Sequence, residues 1–217
     1  SFSEINSMLN SGNFEQEVKK AVENCERLRI ENVYIHIRSY CDSLFKSEYF
    51  PLLEEAENYS GDAFGFMLNA FKEQGIKVHA WINPYRVLTS SSDIEKLDNN
   101  SPAYKWLDTE KVIVLDNGIY YNPADDEVID LIVSGVEEIV RNYDVDGIHL
   151  DDYFYPATDA YLDETEYKSS GTALSLANWR RENVNTLVRK IYSKIKSIDS
   201  NDFLVLFLFM FSFSCTK

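Results

Sequence analysis

The stretch Asp146-Gly147-Ile148-His149-Leu150-Asp151-Asp152-Tyr153 decides how this chain is read. Apolar Ile148 and Leu150 alternate with His149 and Asp151, the period of two that marks a strand. Residues 146–150 therefore predict a short strand, and Asp151 and Asp152 stand at its end. Ahead of it, residues 125–142 predict a helix with acidic side chains in the first turn, where the helix dipole favours them. Behind it come a polar loop over 151–172 and a long amphipathic helix over 175–197. That helix carries Leu176, Trp179, Val184, Leu187, Val188, Ile191 and Ile195.

The same order recurs upstream. Phe14–Leu28 places Val18, Ala21, Val22, Cys25 and Leu28 at helical spacing. Asn32–Arg38 reads as a strand with Val33, Ile35 and Ile37 on one face. A loop over 39–60 leads to a helix over 63–74, stopped by Gly75. A strand over 76–82 ends at Asn83-Pro84. Residues 87–122 read mostly as loop, with a short strand at Val112–Leu115; so long a connection marks a functional excursion.

Strands alternating with helices predict an α/β fold, a parallel sheet with crossover helices. No Gly-rich phosphate loop opens a helix, which argues against a dinucleotide fold. Polar and ionisable residues gather after each strand, where (β/α) barrels place their active sites. Residues 201–217 stand apart, because 203–213 is almost unbroken apolar sequence. A buried parallel strand reads this way. A membrane helix needs about 18 apolar residues, more than this run offers, so no membrane span is expected. A truncated or frameshifted fifth strand is the third reading.

At 217 residues the chain suits one domain. Its 36 acidic and 21 basic side chains leave a net charge of −15, which repels phosphate backbones and excludes nucleic acid as an expected partner. The excess fits a neutral or cationic substrate, or simply a soluble surface. The 14 Tyr, 13 Phe and 3 Trp suit stacking on the apolar faces of sugars. Cys25, Cys41 and Cys215 match no zinc, redox or disulfide spacing, and Cys25 and Cys41 read as small buried hydrophobes.

Strand alternation sets His36 and Arg38 opposite Val33, Ile35 and Ile37. It puts His79, Trp81 and Asn83 on one face and His149 and Asp151 on another, with Asp152 opening the loop. Such groups facing a barrel interior cost several kcal/mol each unless partnered. They are expected to converge on a shared polar site, or else to form a structural network in which Arg38 neutralises Asp151.

Asp151 is the candidate nucleophile or charge stabiliser. Glycoside hydrolysis needs two carboxyl groups, one ionised and one protonated. Asp151 and Asp152 point apart, so the second carboxyl should come from another strand, and residues 203–217 contain none. Asp152 organises the loop, orients an Arg or contacts substrate. Trp81, Tyr85, Tyr153, Phe154 and Tyr155 are candidate stacking platforms, or rim packing. The expected substrate contacts also include Arg38, His79, Asn83, Arg86 and His149.

Two other chemistries compete. His36, His79 and His149 with Asp151 could hold zinc for a metal-dependent hydrolase, although no His-x-His or His-x-x-x-His pattern supports it. The acidic loop Asp159, Asp163, Glu164 and Glu166 could hold calcium, without an EF-hand pattern. Beside these stands a non-catalytic glycan-binding protein using the aromatic side chains. No cofactor is expected.

The segments Gly75-Ile76-Lys77-Val78-His79-Ala80-Trp81-Ile82-Asn83-Pro84-Tyr85-Arg86 and Asn142-Tyr143-Asp144-Val145-Asp146-Gly147-Ile148-His149-Leu150-Asp151-Asp152-Tyr153-Phe154-Tyr155-Pro156 resemble the family-10-like glycosyl hydrolases. So do Ile37-Arg38…Tyr40…Asp42…Tyr49-Phe50-Pro51, Tyr121-Asn122-Pro123 and Trp179-Arg180-Arg181-Glu182-Asn183-Val184. The resemblance implies a (β/α)8 barrel similar to the α-amylase clan. There an Arg-x-Asp on the fourth strand carries the nucleophile, so His149-Leu150-Asp151 assigns that role to Asp151, with His149 in place of Arg. A first strand ahead of this chain and a fifth strand after it are expected of the family and are not matched here. The expectation is a partial TIM-type barrel over residues 1–200, acting on a carbohydrate substrate, with the clan's fifth-strand acid absent.

Overall fold

The computed structural model describes residues 1–151 and 154–198, so Asp152, Tyr153 and the apolar tail lie outside the described residues. The chain order is α1 (Phe2–Asn10), α2 (Phe14–Leu28), β1 (Asn32–Arg38), α3 (Ala63–Lys72), β2 (Lys77–Ile82) and β3 (Arg86–Leu88). It continues with α4 (Pro102–Lys105), β4 (Val112–Leu115), β5 (Gly118–Tyr121), α5 (Asp126–Asn142), β6 (Gly147–Leu150), α6 (Glu164–Ser169) and α7 (Leu176–Ile198). Short 3₁₀ helices cover Glu54–Asn58, Ser91–Lys96 and Ala160–Asp163.

The expected parallel sheet with crossover helices is present, in the order β1-β2-β6 with both pairs parallel. Each strand is buried on the side facing the helices. Ile35, Ile37, Val78, Ala80, Ile82, Ile148 and Leu150 are all 4 % exposed or less, and they join Val18, Phe64, Ile132, Val136, Leu187 and Ile191 in one core. Burying a side chain of this size is worth about 1.5–3 kcal/mol, so this face holds the helices in place.

Local signals set the helix ends. Asp62 caps α3 by accepting from the Gly65 N–H at 3.0 Å. Asp125 caps α5 by accepting from the Glu127 and Val128 N–H groups at 2.9 and 3.1 Å. After α3 the chain turns at Gly75, whose φ of 72° suits glycine. The Asp146 carboxylate accepts from the Val78 N–H at 2.8 Å, which ties the entry of β6 to β2.

Residues 87–122 are not mostly loop. Val112–Leu115 is a strand as expected, but it pairs with β5, and β5 with β3, in a second, antiparallel sheet of order β3-β5-β4. This small sheet hangs from the end of β2, with the Tyr121 N–H donating to the Tyr85 carbonyl at 2.8 Å. Helix α1 and the two short helices within 151–172 are further additions to the reading from sequence. Among the described residues no helix is long and apolar enough to cross a membrane.

Candidate active site

The site forms where β2 and β6 end together. Trp81 lies opposite His149 and Ile82 opposite Leu150, so the residues that follow, Asn83 and Asp151, leave the sheet side by side. Asp151 Oδ2 accepts two hydrogen bonds, from Trp81 Nε1 at 3.3 Å and from Asn83 Nδ2 at 3.1 Å. Asn83 is fully buried, and its Oδ1 accepts from the Arg86 N–H at 3.0 Å. The Asn83-Pro84 turn thereby fixes which way the amide points, and the amide fixes the carboxylate. The shared face expected for His79, Trp81 and Asn83, and the convergence of two of them on Asp151, are what the structure contains.

Beneath Asp151 the inward face of the sheet is a layer of rings. His36 stacks on Trp81, with centroids 4.1 Å apart and planes 6° apart. Tyr34 stacks on His79 at 4.8 Å, and His149 stands edge-on to both Tyr34 and Trp81, at 5.0 and 5.6 Å. His79 Nε2 lies 3.1 Å from Asn32 Oδ1. Burial lowers the pKa of all three histidines. For His36 the fall reaches about 3, with the nearby Arg86 guanidinium adding to it.

Two expectations are corrected here. The histidines do not gather around a common point; each ring is engaged by an aromatic neighbour. Among the described residues no group of three or more His, Cys, Asp or Glu side chains is placed to hold a metal ion. The zinc reading of His36, His79 and His149 therefore has no donor geometry behind it. Trp81 donates its ring N–H to Asp151 and has one face covered by the His36 ring. Tyr85 is 0 % exposed and Phe154 8 %, and their rings meet edge-on at 6.3 Å, so both are core. Tyr85's hydroxyl is buried, which raises its pKa.

Arg38 is the largest correction. It was expected beside His36, yet it does not reach Asp151. The register of β1 on β2 slips between His36 and Arg38, pairing Arg38 with Ile82. One extra residue reverses the alternation. Arg38 therefore turns toward the helices, buried, with its guanidinium 4.2 Å over the Phe50 ring. It reads as a structural residue, not as the neutraliser of Asp151. Arg86 lies close enough to His36 to act on it electrostatically, and its guanidinium is 5.3 Å from the centre of the Tyr40 ring.

The loop after β6 is clamped. Arg180 on α7 makes a bidentate pair with the buried Asp163 carboxylate, with contacts of 2.6–3.1 Å, and donates to the Thr158 and Asp159 carbonyls. Its guanidinium also lies over the Tyr155 ring at 5.2 Å, and the Tyr155 hydroxyl accepts from Asn183 Nδ2 at 3.0 Å. Glu166 accepts from Asn122 Nδ2 at 2.6 Å. Two members of the expected calcium loop are thus spent on protein partners. A signal for the clamp existed, since a buried Asp needs an Arg, but their separation in sequence hid the pairing.

Burial raises the carboxyl pKa of Glu166 and of Asp42, and Asp42 rises to about 6. Asp42 follows β1 and lines a cleft of about 400 Å³ with Tyr40, Glu55, Val87 and Leu97. Its parity on the strand says nothing once the chain has entered the loop, so alternation alone assigns Asp42 no face.

Parallel strands with helices outside, and a hydrogen-bonded carboxylate at the strand ends, define a sector of a (β/α) barrel. Solved structures share this fold. α-L-Fucosidase isoenzyme 2 from Paenibacillus thiaminolyticus matches 87 % of this chain over 29 % of its own, at TM-score 0.63 and 19 % identity. The glycoside hydrolase domain of PgaB (BpsB) from Bordetella bronchiseptica matches 90 % over 60 %, at TM-score 0.62 and 13 % identity.

The chain belongs to the glycosyl hydrolase-like 10 family, whose sequence model matches residues 5–205. Among its relatives are glycosyl hydrolase YngK of Bacillus subtilis, 34 % identical over 192 residues, and glycosyl hydrolase DigH of Escherichia coli, 36 % identical over 197 residues. These alignments take in 84 % and 82 % of this chain, which spans 37 % of YngK and 44 % of DigH.

Proposed function

We propose that this chain carries the nucleophile of a glycoside hydrolase acting on an oligosaccharide or polysaccharide, and that Asp151 is that nucleophile. The observation behind the reading is the pair of donors, Trp81 and Asn83, on one Asp151 oxygen at the C-terminal ends of parallel strands. That end is where barrels of this kind do chemistry. Neutral donors hold the carboxylate in place without cancelling its charge, which suits attack on an anomeric carbon. As the carboxylate–carbon bond forms, the glycosidic bond breaks and its oxygen takes a proton from a second carboxyl.

The test is a glycan panel assayed on the chain extended to the length of its relatives. Asp151→Asn should lower turnover by about 10²–10⁴-fold. Undiminished hydrolysis by Asp151→Asn would remove the nucleophile assignment. Glycan binding that survives the substitution, with no turnover by the parent enzyme, would favour a non-catalytic binding protein.

A further inference from the structure

The proposal concerns how Asp151 is held, and it rests on the nucleophile reading above. Trp81 is one of the two side chains that donate to Asp151 Oδ2. The indole ring turns about its own side-chain bonds, so its N–H meets the carboxylate only if something sets the ring plane. On β1, His36 lies directly opposite Trp81 in the parallel register, and the two rings stack nearly parallel, with centroids 4.1 Å apart. His149, in register with Trp81 from the other side, meets it edge-on. The indole is thus bracketed between β1 and β6, and its free end points at Asp151.

We propose that His36 is a positioning residue: its imidazole, stacked flat on Trp81, sets the indole plane that aims Nε1–H at the Asp151 carboxylate. The ring acts here as a flat surface and not as an acid, base or ligand. Its burial and the neighbouring Arg86 charge agree with this, because both keep the imidazole neutral. A neutral ring stacks on the indole without bringing a cation beneath the nucleophile, whose negative charge the cation would otherwise partly cancel. The β1 bulge contributes as well. The slip falls immediately after His36, so the register that places His36 against Trp81 is kept while Arg38 is turned away.

The experiment is nuclear magnetic resonance of the ¹⁵N-labelled indole N–H groups. The chain has three tryptophans, Trp81, Trp106 and Trp179. Trp81→Phe assigns the Trp81 signal, and the other two report whether each variant stays folded. In the wild type the Trp81 N–H should be shifted downfield and exchange slowly with solvent, and Asp151→Asn should move it. His36→Ala should move it upfield and speed its exchange by about tenfold or more, with Trp106 and Trp179 unmoved. His36→Phe, which restores a flat ring, should return most of the wild-type signal.

An unchanged Trp81 signal in His36→Ala overturns the proposal. So does a Phe variant that behaves like the Ala variant. On a hydrolysed glycan, His36→Ala should lower kcat by about tenfold with KM little changed, and His36→Phe should recover it. The spectra need no turnover. An extended chain that hydrolyses no glycan, with the expected spectra, would therefore sink the proposed function and leave the positioning role standing.

Discussion

His36 and Asp42 carry opposite electrostatic signatures that stability measurements can separate. The His36 pKa falls from 6.5 to about 3 in the folded chain, chiefly through burial. Between those values the unfolded chain binds the extra proton, so acidification costs folded-state stability. The Asp42 pKa rises from 3.8 to about 6, again chiefly through burial. There the folded chain binds the extra proton, so stability is lost as pH rises through that window. Denaturant unfolding of the wild type, His36→Phe and Asp42→Asn across pH 3–7 tests both. The wild-type margin over His36→Phe should shrink as pH falls below 6.5, by at most about 1.4 kcal/mol per pH unit. The margin over Asp42→Asn should shrink as pH rises from about 4 to about 6. Margins that stay flat would contradict the burial of these groups.

At the scale of elements, the bulge in β1 and the glycine in α5 depend on each other. Once the slip turns Arg38 toward the helices, its guanidinium and the Phe50 ring occupy the space beside Gly135. A Cβ at Gly135 would lie 2.8 Å from the Phe50 ring and 2.9 Å from Arg38 Nη1. Gly135→Ala should therefore destabilise the chain by about 1–3 kcal/mol, although alanine favours helices. Thermal unfolding checks this, and a stabilised variant would show that the contact yields easily. The two sheets differ in how readable they were. Strands β1 and β2 are long and rich in β-branched side chains, and their ends emerged from alternation within a residue. Strands β3 and β5 have three and four residues, too few for a period to show, and pairing between strands decided them.

At the scale of the whole molecule the dominant property is charge. A net charge of −15 on 217 residues repels itself in the compact state. The exposed ion pairs, such as Lys168 with Glu164 at 2.7 Å, are worth little against it. Raising salt from about 10 mM to about 150 mM shortens the screening length from roughly 30 Å to roughly 8 Å. The thermal midpoint should rise with that change, and a fall would mean that the ion pairs matter more than the repulsion. By itself the sequence determined the class of fold, the order of the parallel strands' units and the place of Asp151 at a strand end. Those follow from residue periodicity and from motif spacing, which are local. Tertiary structure alone decided which side chains meet Asp151. It brought in Trp81 and Asn83, set His36 under the indole, and sent Arg38, Tyr85 and the Asp163–Arg180 pair to structural work. The reason is register: a slip of one residue at Ile37 reverses a face, and the pairing energy that sets it comes from distant strands that local periodicity does not contain.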